Sequence, residues 1–539
     1  MAAFPASRPK EGLAIKTVSD LILEQLAAYG VRFIFGVVGD AIFPLAEALA
    51  RQQTIRFVPA AIETTAAMMA AFAAQLSGAP GVCIGTSGPG AANLVNGTGS
   101  ALLDRVPLLC LTGQVAGSQL GNETKQYINQ RQLFTAVTAA SEMCIHPGSV
   151  VPVLSRLLNQ ALSGPGAVHL EIPVDILAHE TDAMPIQPPP LQPSLNGTGA
   201  VQGGLDDILK RLEQAQRPLL VLGRGARDEG EAWAGFAADY GAGIIISQEN
   251  KGMLPDRHPL VLGGIGEAYL PDCLGRCDQL LCVGEAVYEE NYFPAATPVV
   301  RFTPSLSPSF QPYPVVRGDL AVILRKLREH FPHRLPREEW RKELDRCRQA
   351  RLQLVESLPG PRHPAAVMRA LAAVAPPDAL IALDVGEFAY WFDLGFLAER
   401  QRVLLSNSWR SMGVALPAGI AACLLRPDRK TVALVGDGGL LMSLAELATV
   451  ARYRLPLTIL VLRNGCYGLE IQKMRQQKMT PYGTDLVLPD LIRLGEAFGI
   501  PAYRIDESSP AEAVLRQALA AGPALVDLEV DSVPLPYLK

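Results

Sequence analysis

The sequence alternates short runs of β-branched and apolar residues with longer alanine- or leucine-rich amphipathic segments, and this alternation limits the fold more than any other feature. Phe33 to Val38 is typical of a strand and precedes a helical segment from Ile42 to Arg51. Further along, the strand-like Thr431 to Val435 and Leu457 to Leu462 flank a helical segment from Leu440 to Arg452. Strands that alternate with helices form parallel sheets with right-handed crossovers. We therefore expect an α/β protein of doubly wound, mostly parallel sheets.

Two stretches resemble linkers and divide the 539 residues into segments of domain size. Pro185 to Gly199 is rich first in proline and then in small polar residues, and Glu356 to Pro364 is also proline-rich. Each segment between them has its own alternation of strands and helices. The chain is therefore predicted to form three domains, at residues 1–185, 200–340 and 360–539.

Composition and charge argue against several classes of protein. The chain has 48 Lys and Arg against 53 Asp and Glu, a net charge of −5, and no basic stripe that would indicate nucleic acid as a partner. Its longest uncharged apolar run, Met412 to Leu425, is shorter than the about 18 residues that a membrane span needs. The N-terminus lacks the apolar core of a signal peptide, so we expect a cytoplasmic location. The cysteines Cys273, Cys277 and Cys282 are interpreted as core residues rather than metal ligands.

The strongest chemical signal follows the strand that ends at Val435. Asp437, Gly438 and Gly439 come directly after this strand, and Asn464 comes after the next strand along the chain. The carboxyl ends of parallel strands meet at one edge of a sheet, so Asp437 and Asn464 can converge on one point. Glycines and a helix N-terminus accommodate a large anion, and carboxylate and amide oxygens suit Mg²⁺. The sequence therefore predicts a site for Mg²⁺ held jointly with phosphates.

The segment from Gly436 to Gly468 resembles the diphosphate-binding motif of the thiamine diphosphate (ThDP) enzymes, which opens with Gly-Asp-Gly and ends with an asparagine. The domain order is similar to that of the branch with acetolactate synthase, pyruvate oxidase and pyruvate decarboxylase. In that family the ligands of Mg²⁺ correspond to Asp437, Asn464 and the main-chain carbonyl of Cys466. The resemblance implies this set of cofactor-binding residues: Glu63, Gly386, Glu387, Ser411, Met412, Asp437, Gly438, Gly439, Asn464, Cys466, Tyr467, Gly468 and Leu469.

Glu63 is one acid in a mainly apolar helix, where burial without a partner would be costly. The resemblance implies that Glu63 is the glutamate that activates the cofactor, beside N1′ of the aminopyrimidine ring. It also implies that different subunits bind the two ends of the cofactor, so that Glu63 acts on ThDP anchored by Asp437 of the partner subunit. We therefore expect a homodimer, or a homotetramer built as a dimer of dimers, with active sites between subunits.

The residues that would decide the product resemble those of two different groups of enzymes in the family. Asp40 and Glu470 resemble the two acids of pyruvate decarboxylase, where they could move protons. The adjacent histidines of that enzyme are missing, because no histidine precedes His146. Gln126 instead resembles the active-site glutamine of acetolactate synthases, pyruvate oxidases and benzaldehyde lyase. The predicted catalytic residues are therefore Glu63, Gln126, Asp40 and Glu470.

This mixture favours non-oxidative decarboxylation of a pyruvate-like 2-oxo acid with carboligation to an aldehyde or a second oxo acid, similar to acetolactate synthase. The alternatives are a pyruvate oxidase with FAD, a simple 2-oxo acid decarboxylase, and a regulatory homologue without activity. FAD is not favoured, although Gly223 to Gly225 and Lys251 to Met253 fit either a flavin site or its vestige. A dehydrogenase is weaker still, since the glycine-rich turn lacks its last glycine.

Overall fold

The computed structural model describes residues 16–164, 166–189, 201–266, 269, 271–286, 296–304, 313–358, 360, 362–506 and 510–536. Within them the strands form three six-stranded sheets, in which all paired strands run parallel. The predicted fold class, α/β with three doubly wound parallel-sheet domains, is confirmed. The domain boundaries stay predictions, and residues 190–199 of the first linker lie outside the described residues.

The N-terminal domain has its strands in the order β2-β1-β3-β4-β6-β5. Its strands are β1 Phe33–Gly36, β2 Arg56–Pro59, β3 Gly81–Gly85, β4 Leu108–Gln114, β5 Ala140–Met143 and β6 Ala167–Pro173. Its helices are α1 Val18–Ala28, α2 Phe43–Arg51, α3 Glu63–Ser77, α4 Pro89–Leu103, α5 Gln130–Phe134, α6 Val150–Ser163 and α7 Val174–Leu177.

The middle domain has its strands in the order β12-β11-β10-β7-β8-β9. Its strands are β7 Pro218–Leu222, β8 Gly243–Ile246, β9 Val261–Gly264, β10 Gln279–Val283, β11 Val299–Thr303 and β12 Val315–Arg317. Its helices are α8 Leu205–Gln214, α9 Gly230–Tyr240 and α10 Leu320–His330, and α11 Glu338–Ser357 follows them. Cys273, Cys277 and Cys282 lie in the apolar core of this domain.

The C-terminal domain has its strands in the order β14-β13-β15-β16-β18-β17. Its strands are β13 Leu380–Leu383, β14 Arg402–Leu404, β15 Thr431–Gly436, β16 Leu457–Arg463, β17 Ala502–Ile505 and β18 Ala524–Glu529. Its helices are α12 Pro364–Val374, α13 Glu387–Gly395, α14 Ala415–Leu425, α15 Asp437–Ser443, α16 Leu447–Tyr453, α17 Gly468–Gln476, α18 Leu491–Phe498 and α19 Ala511–Ala521.

The prediction of a single helix from Leu440 to Arg452 is wrong. The chain forms α15 and α16 with a 3₁₀ turn between them, Leu444–Glu446. The turn directs the carboxylate of Glu446 against the N-terminal domain, where it accepts the N–H of Ala61. A tertiary contact has therefore interrupted a segment that local pattern alone would make continuous.

The strand orders separate the terminal domains from the middle one. Numbered within each domain, both terminal sheets have the order 2-1-3-4-6-5, and the middle sheet has the order 3-2-1-4-5-6. The latter is the order of dinucleotide-binding folds. Each sheet has a point where the strand order reverses, and ligands of such sheets bind beyond the carboxyl ends of the strands there.

The two terminal domains share one apolar core. The alanine-rich α3 of the N-terminal domain packs against the alanine-rich α14 of the C-terminal domain. Small side chains let the two helices approach closely, and both are buried along most of their length. This packing fixes the start of α3 relative to the C-terminal sheet. Among the described residues, none of the helices is both long enough and apolar enough to cross a membrane.

Candidate active site

The C-terminal domain has a cavity of about 600 Å³ where its strand order reverses. The chain leaves the neighbouring strands β13 and β15 toward opposite sides of the sheet, so the loops at their carboxyl ends open a crevice. The wall of the cavity includes segments that follow four strands: Val385 to Phe388, Gly436 to Gly439, Asn464 with Cys466 to Glu470, and Val530. The predicted residues Gly386, Glu387, Met412, Tyr467, Gly468 and Leu469 are all in this wall.

Asp437 and Asn464 meet in this crevice. Asp437 begins α15, and its Oδ2 accepts the N–H groups of Asn464 and Gly465 at 3.1 and 2.6 Å. The Oδ1 of Asn464 accepts the N–H of Cys466 at 3.2 Å. Burial raises the pKa of the Asp437 carboxyl above its ordinary value. A cation beside it would favour the ionised carboxylate, so the buried acid suits a cation site.

Glu387, at the start of α13, adds a second buried acid to the same cavity. Its Oε2 accepts hydrogen bonds from Nε2 of Gln472 at 2.6 Å and from Oγ of Ser532 at 3.2 Å. Its Oε1 is buried and has no hydrogen-bond partner among the described residues. Burial raises the pKa of Glu387 to about 7. A buried oxygen without a partner is costly, which indicates that this cavity binds a further group.

The donor set fits Mg²⁺ together with a diphosphate. Asp437 and Asn464 supply side-chain oxygens, and no donor among the described residues reaches the carbonyl of Cys466. These are hard oxygen donors of the kind that Mg²⁺ takes when it shares phosphate ligands. The N-terminus of α15, at Asp437, Gly438 and Gly439, adds a positive dipole end for the anion.

Gly438 shows why the wall of this cavity needs glycine. A Cβ at Gly438 would lie 2.5 Å from Cε1 of Tyr467 and 3.0 Å from Cε of Met412. The absence of a side chain therefore lets Met412 and Tyr467 close over the start of α15. Met412 therefore lies in the wall of the cavity, and the role that the resemblance implies for it, that of an apolar wedge holding the cofactor bent, stays a prediction.

The N-terminal domain carries a second cluster, at the carboxyl ends of β1, β2 and β3. Glu63 is buried at the start of α3, and its Oε2 accepts a hydrogen bond from Nδ2 of Asn93 at 3.0 Å. A Cβ at Gly90 would lie 3.1 Å from the other oxygen of Glu63, so glycine leaves room there. Oδ1 of Asp40 accepts a hydrogen bond from Oγ1 of Thr86 at 3.2 Å. Glu63 and Asp40 thus border the same turn, Thr86 to Gly90.

Gln126 has a backbone conformation that side chains rarely adopt, with φ of 63°. Its carbonyl oxygen would lie 2.7 Å from a Cβ at Gly88, in the turn that borders Glu63 and Asp40. The neighbouring Lys125 lies 3.8 Å from Asp40, and both are exposed. Strained non-glycine residues often lie at functional sites, and the contact with Gly88 holds this one beside the N-terminal cluster.

The predicted site residues therefore form two groups in two domains. Glu63, Asp40 and Gln126 belong to the N-terminal cluster, and the predicted metal ligands belong to the C-terminal cavity. In the described parts of the chain, no hydrogen bond or ion pair connects the two groups. Glu470 lines the C-terminal cavity but is exposed, 3.8 Å from Lys473. The structure does not bring Asp40 and Glu470 into contact within the described residues.

Ser411 is the one predicted cofactor residue of the C-terminal domain that is not part of the cavity wall. Its Oγ accepts a hydrogen bond from Nδ2 of Asn96, on α4, at 3.1 Å. Trp409 donates from Nε1 to the same asparagine at 2.7 Å. This segment therefore contacts the N-terminal domain of its own chain, and the role of Ser411 in binding cofactor stays a prediction.

Several partners of the site are absent from the sequence-based prediction. Asn93 orients Glu63, and Gln472 and Ser532 hold Glu387. Gln472 also ties the C-terminal segment to the cavity, since its Oε1 accepts the N–H of Leu535 at 2.8 Å. Their separations along the chain range from 30 to 145 residues, so only a tertiary fold could identify them.

The crevice of the middle domain lies between β7 and β10, and its open space is lined by arginines and acids, including Arg105, Arg224 and Glu249. The Glu285 carboxylate pairs there with Arg224 at 3.1 Å and with Arg105 of the N-terminal domain. The N–H of Arg224 is already bound by the carbonyl of Glu285, at 2.7 Å. A bound dinucleotide would therefore meet a carboxylate and occupied donors.

Lys251 also has a role that requires no flavin. It is buried, with Nζ 3.0 Å from Oδ2 of Asp256 and 3.3 Å from Oδ1 of Asp393. Asp256 is in the middle domain and Asp393 is on α13, so the ion pairs join the two domains. The glycine after it, Gly252, has φ of 81° and contacts the carbonyl of Gln401 so closely that no Cβ would fit.

Comparison with known proteins identifies all three domains. Family models of thiamine pyrophosphate enzymes match the N-terminal TPP binding domain at residues 16–133, the central domain at 205–309 and the C-terminal TPP binding domain at 384–528.

Relatives align over nearly the whole chain. Acetolactate synthase isozyme 1 large subunit of Escherichia coli (strain K12) is 27% identical, over 96% of this chain and 94% of its own. The catabolic acetolactate synthase of Raoultella terrigena is 29% identical, over 96% of both chains. Pyruvate oxidase of Lactiplantibacillus plantarum (strain ATCC BAA-793 / NCIMB 8826 / WCFS1) is 27% identical, over 96% of this chain and 89% of its own. The protein therefore belongs to the family of thiamine pyrophosphate (thiamine diphosphate) enzymes.

Proposed function

We propose that the protein is a Mg²⁺- and ThDP-dependent decarboxylase and carboligase of the acetolactate synthase type. It removes CO₂ from a pyruvate-like 2-oxo acid without oxidation and joins the remaining fragment to an aldehyde or a second oxo acid. The C-terminal cavity carries the proposal, because Asp437, Asn464 and the Cys466 carbonyl offer oxygen donors beside the unpartnered oxygen of Glu387. Relatives named acetolactate synthase support the carboligase part.

The C-terminal domain holds the cofactor in this proposal. Asp437, Asn464 and the Cys466 carbonyl would hold Mg²⁺, whose charge would offset that of a diphosphate. Met412 and Tyr467 close over Gly438 and exclude water from this end of the cavity. When bound, ThDP supplies a thiazolium ring that accepts the electrons released as a 2-oxo acid loses CO₂.

The N-terminal cluster supplies the acid–base groups. Glu63, oriented by Asn93, would accept a hydrogen bond from the aminopyrimidine ring and would favour its protonated form. Gln126 cannot give up a proton at neutral pH, but its amide can donate a hydrogen bond to the carbonyl oxygen of the second substrate. Asp40 and Glu470 hold and move the protons that product formation requires.

Each complete site combines two subunits in this proposal. Glu63 acts on cofactor anchored by Asp437 of the partner subunit, so a homodimer is the minimal active unit, and a dimer of dimers also satisfies this condition. The separation of the two groups of residues within one chain supports it. Exposed apolar side chains lie near both groups, with Phe43 and Ile62 in the N-terminal domain and Met442 in the C-terminal domain. We expect the assembly in the cytoplasm.

A simple 2-oxo acid decarboxylase is the second candidate, favoured by the exposed acids Asp40 and Glu470, which could supply the proton that turns the decarboxylated fragment into an aldehyde. A flavin-dependent oxidase is disfavoured, because Arg105 and Arg224 of the middle crevice are already paired with Glu285. A homologue without activity is disfavoured by the intact set of Glu63, Asp437 and Asn464.

Product analysis tests the proposal. Purified protein with ThDP and Mg²⁺ is given pyruvate, with and without an added aldehyde, and CO₂, free aldehyde and hydroxyketone are measured in parallel. We expect CO₂ together with a carboligation product, and neither from the Asp437→Ala control. Free aldehyde as the only organic product would favour the second candidate. No CO₂ release without an added electron acceptor would contradict non-oxidative chemistry.

A further inference from the structure

The start of α3 is held by a residue of another domain. The N-cap residue of this helix is Ile62, whose side chain cannot accept a hydrogen bond. Glu446 of the C-terminal domain holds the residues on either side of this start instead: its Oε1 accepts the N–H of Ala61, directly before the N-cap residue, at 2.9 Å and lies 2.5 Å from Oγ1 of Thr65 in the first turn. Helix N-termini are commonly stabilised by a carboxylate, but usually by one of the local chain.

Glu446 is fully buried and fixed from its own side as well. Its Oε2 accepts a hydrogen bond from Oγ1 of Thr449, on α16, at 2.5 Å. Both carboxylate oxygens are thus engaged, so the side chain cannot turn away without breaking its hydrogen bonds to Ala61, Thr65 and Thr449. The contact therefore defines the position of the first turn of α3.

Glu63 lies between the two residues that Glu446 holds, two positions after Ala61 and two before Thr65. The other end of the connection starts at the cofactor cavity, because Asp437 begins α15 and Glu446 closes the 3₁₀ turn directly after that helix. In the proposed dimer, one short segment of each chain therefore links the cation site of one active site to the activating glutamate of the other.

We propose that Glu446 is a positioning residue for Glu63. It does not touch cofactor; it fixes the first turn of α3 so that the Glu63 carboxylate is presented to the aminopyrimidine ring. This inference rests on the proposed function, which assigns activation to Glu63. The contacts of Glu446 with residues on both sides of Glu63 support a positioning role beyond domain docking.

Hydrogen–deuterium exchange of the cofactor-free protein tests the contact itself. In Glu446→Ala we expect the amide of Ala61 to exchange roughly 10-fold faster or more, since a charged acceptor is lost. The matched control is Ser100→Ala, which removes another buried bond between the same domains, that of Ser100 to Ser406, and should leave this amide unchanged. Unchanged exchange at Ala61 in Glu446→Ala would overturn the proposal.

A second measurement separates positioning from docking. With ThDP and Mg²⁺ bound, we expect exchange of the cofactor C2 proton to slow about 10-fold in Glu446→Ala, while cofactor affinity stays within about threefold. Glu446→Gln, which keeps an oxygen acceptor, should recover part of the rate. Loss of protection at Ala61 with wild-type C2 exchange would reduce Glu446 to a docking residue and overturn the proposal.

A second variant covers the case in which Glu446→Ala is unstable. If Glu446→Ala does not fold, Thr65→Val removes the hydroxyl that contacts Glu446 and the Ile62 carbonyl, and it should slow C2 exchange in the same direction. Wild-type C2 exchange in Thr65→Val would contradict the positioning role. If the wild-type protein binds no ThDP, the proposed function fails, but exchange at Ala61 still reports separately whether Glu446 holds the segment before α3.

Discussion

The middle and C-terminal domains both form six-stranded parallel sheets with a crevice where the strand order reverses, but they fill this crevice differently. In the C-terminal domain, glycines leave a cavity whose wall includes Asp437 and Glu387, and one buried oxygen of Glu387 has no partner among the described residues. In the middle domain, Glu285 is paired with Arg105 and Arg224. Topology thus supplies a ligand site, and the side chains at the strand ends decide whether it is used.

The two crevices also differ in what they connect. The ion pairs around Glu285 tie the middle domain to the N-terminal domain, and those around Lys251 tie it to the C-terminal domain. The middle domain therefore uses charged groups near a nucleotide-type crevice to hold the three domains together. The C-terminal crevice leaves its charged groups available for a ligand.

The largest effect is expected on ThDP affinity, when an acid of the C-terminal crevice is removed and the result is compared with removal of an acid of the middle crevice. Asp437→Ala should weaken ThDP and Mg²⁺ binding together, by at least about 100-fold, because the cation links the protein to the diphosphate. Glu285→Ala is the matched variant and should leave ThDP affinity within about threefold. Isothermal titration calorimetry measures both. Equal affinities in the two variants would remove the distinction between the crevices.

Glu63→Gln should have the next largest effect. It separates binding of the cofactor, assigned to the C-terminal crevice, from activation of the cofactor, assigned to Glu63. Glutamine keeps the size of the side chain but cannot stabilise a protonated ring, so exchange of the C2 proton should slow about 100-fold. Calorimetric affinity for ThDP should stay near that of the wild type, because the C-terminal crevice is intact. Nuclear magnetic resonance monitors the exchange, and a wild-type rate would assign activation to a different group.

Smaller effects should distinguish the residues that decide the product. Gln126→Ala should lower carboligation about 10-fold more than decarboxylation, because only carboligation needs a donor for the second carbonyl. Glu470→Gln should slow product formation more than loss of CO₂, because the carboxyl group of Glu470 would supply the proton that product formation needs. Parallel assays of CO₂, aldehyde and hydroxyketone measure both. If Gln126→Ala lowers all products equally, Gln126 only shapes the site.

The smallest effect concerns stability near the middle crevice, where burial raises the pKa of Glu249 to about 7 from an ordinary value of 4.5. The unfolded chain then loses this proton at lower pH than the folded chain, so Glu249 lowers stability progressively as pH rises from about 4.5 to about 7.

Glu249→Gln removes that ionisation. The thermal midpoint of the variant, relative to wild type, should therefore be higher at pH 8 than at pH 5.5, by roughly 2–4 °C. Circular dichroism at the two pH values measures the difference. The same offset at both values would show that Glu249 does not titrate in this range.

The convergence of Asp437 and Asn464 could be predicted because strand ends of a parallel sheet meet at one edge, and both residues directly follow strands. The sequence could not predict that Lys251 is used in ion pairs, because Asp256 and Asp393 come from different domains. The partners of Glu387 likewise come from α17 and from the segment after β18. Local pattern identified the groups that follow strands, and only the tertiary fold identified the residues that hold them.

Native mass spectrometry of the wild-type protein with ThDP, Mg²⁺ and FAD all present tests whether the C-terminal crevice binds its ligand while the middle crevice binds none. The account predicts an added mass of one ThDP with Mg²⁺ per chain, in an even-numbered assembly, and no added mass of FAD. Retention of FAD would contradict the assignment of the middle crevice as an ion-paired junction, and absence of ThDP would contradict the assignment of the C-terminal cavity.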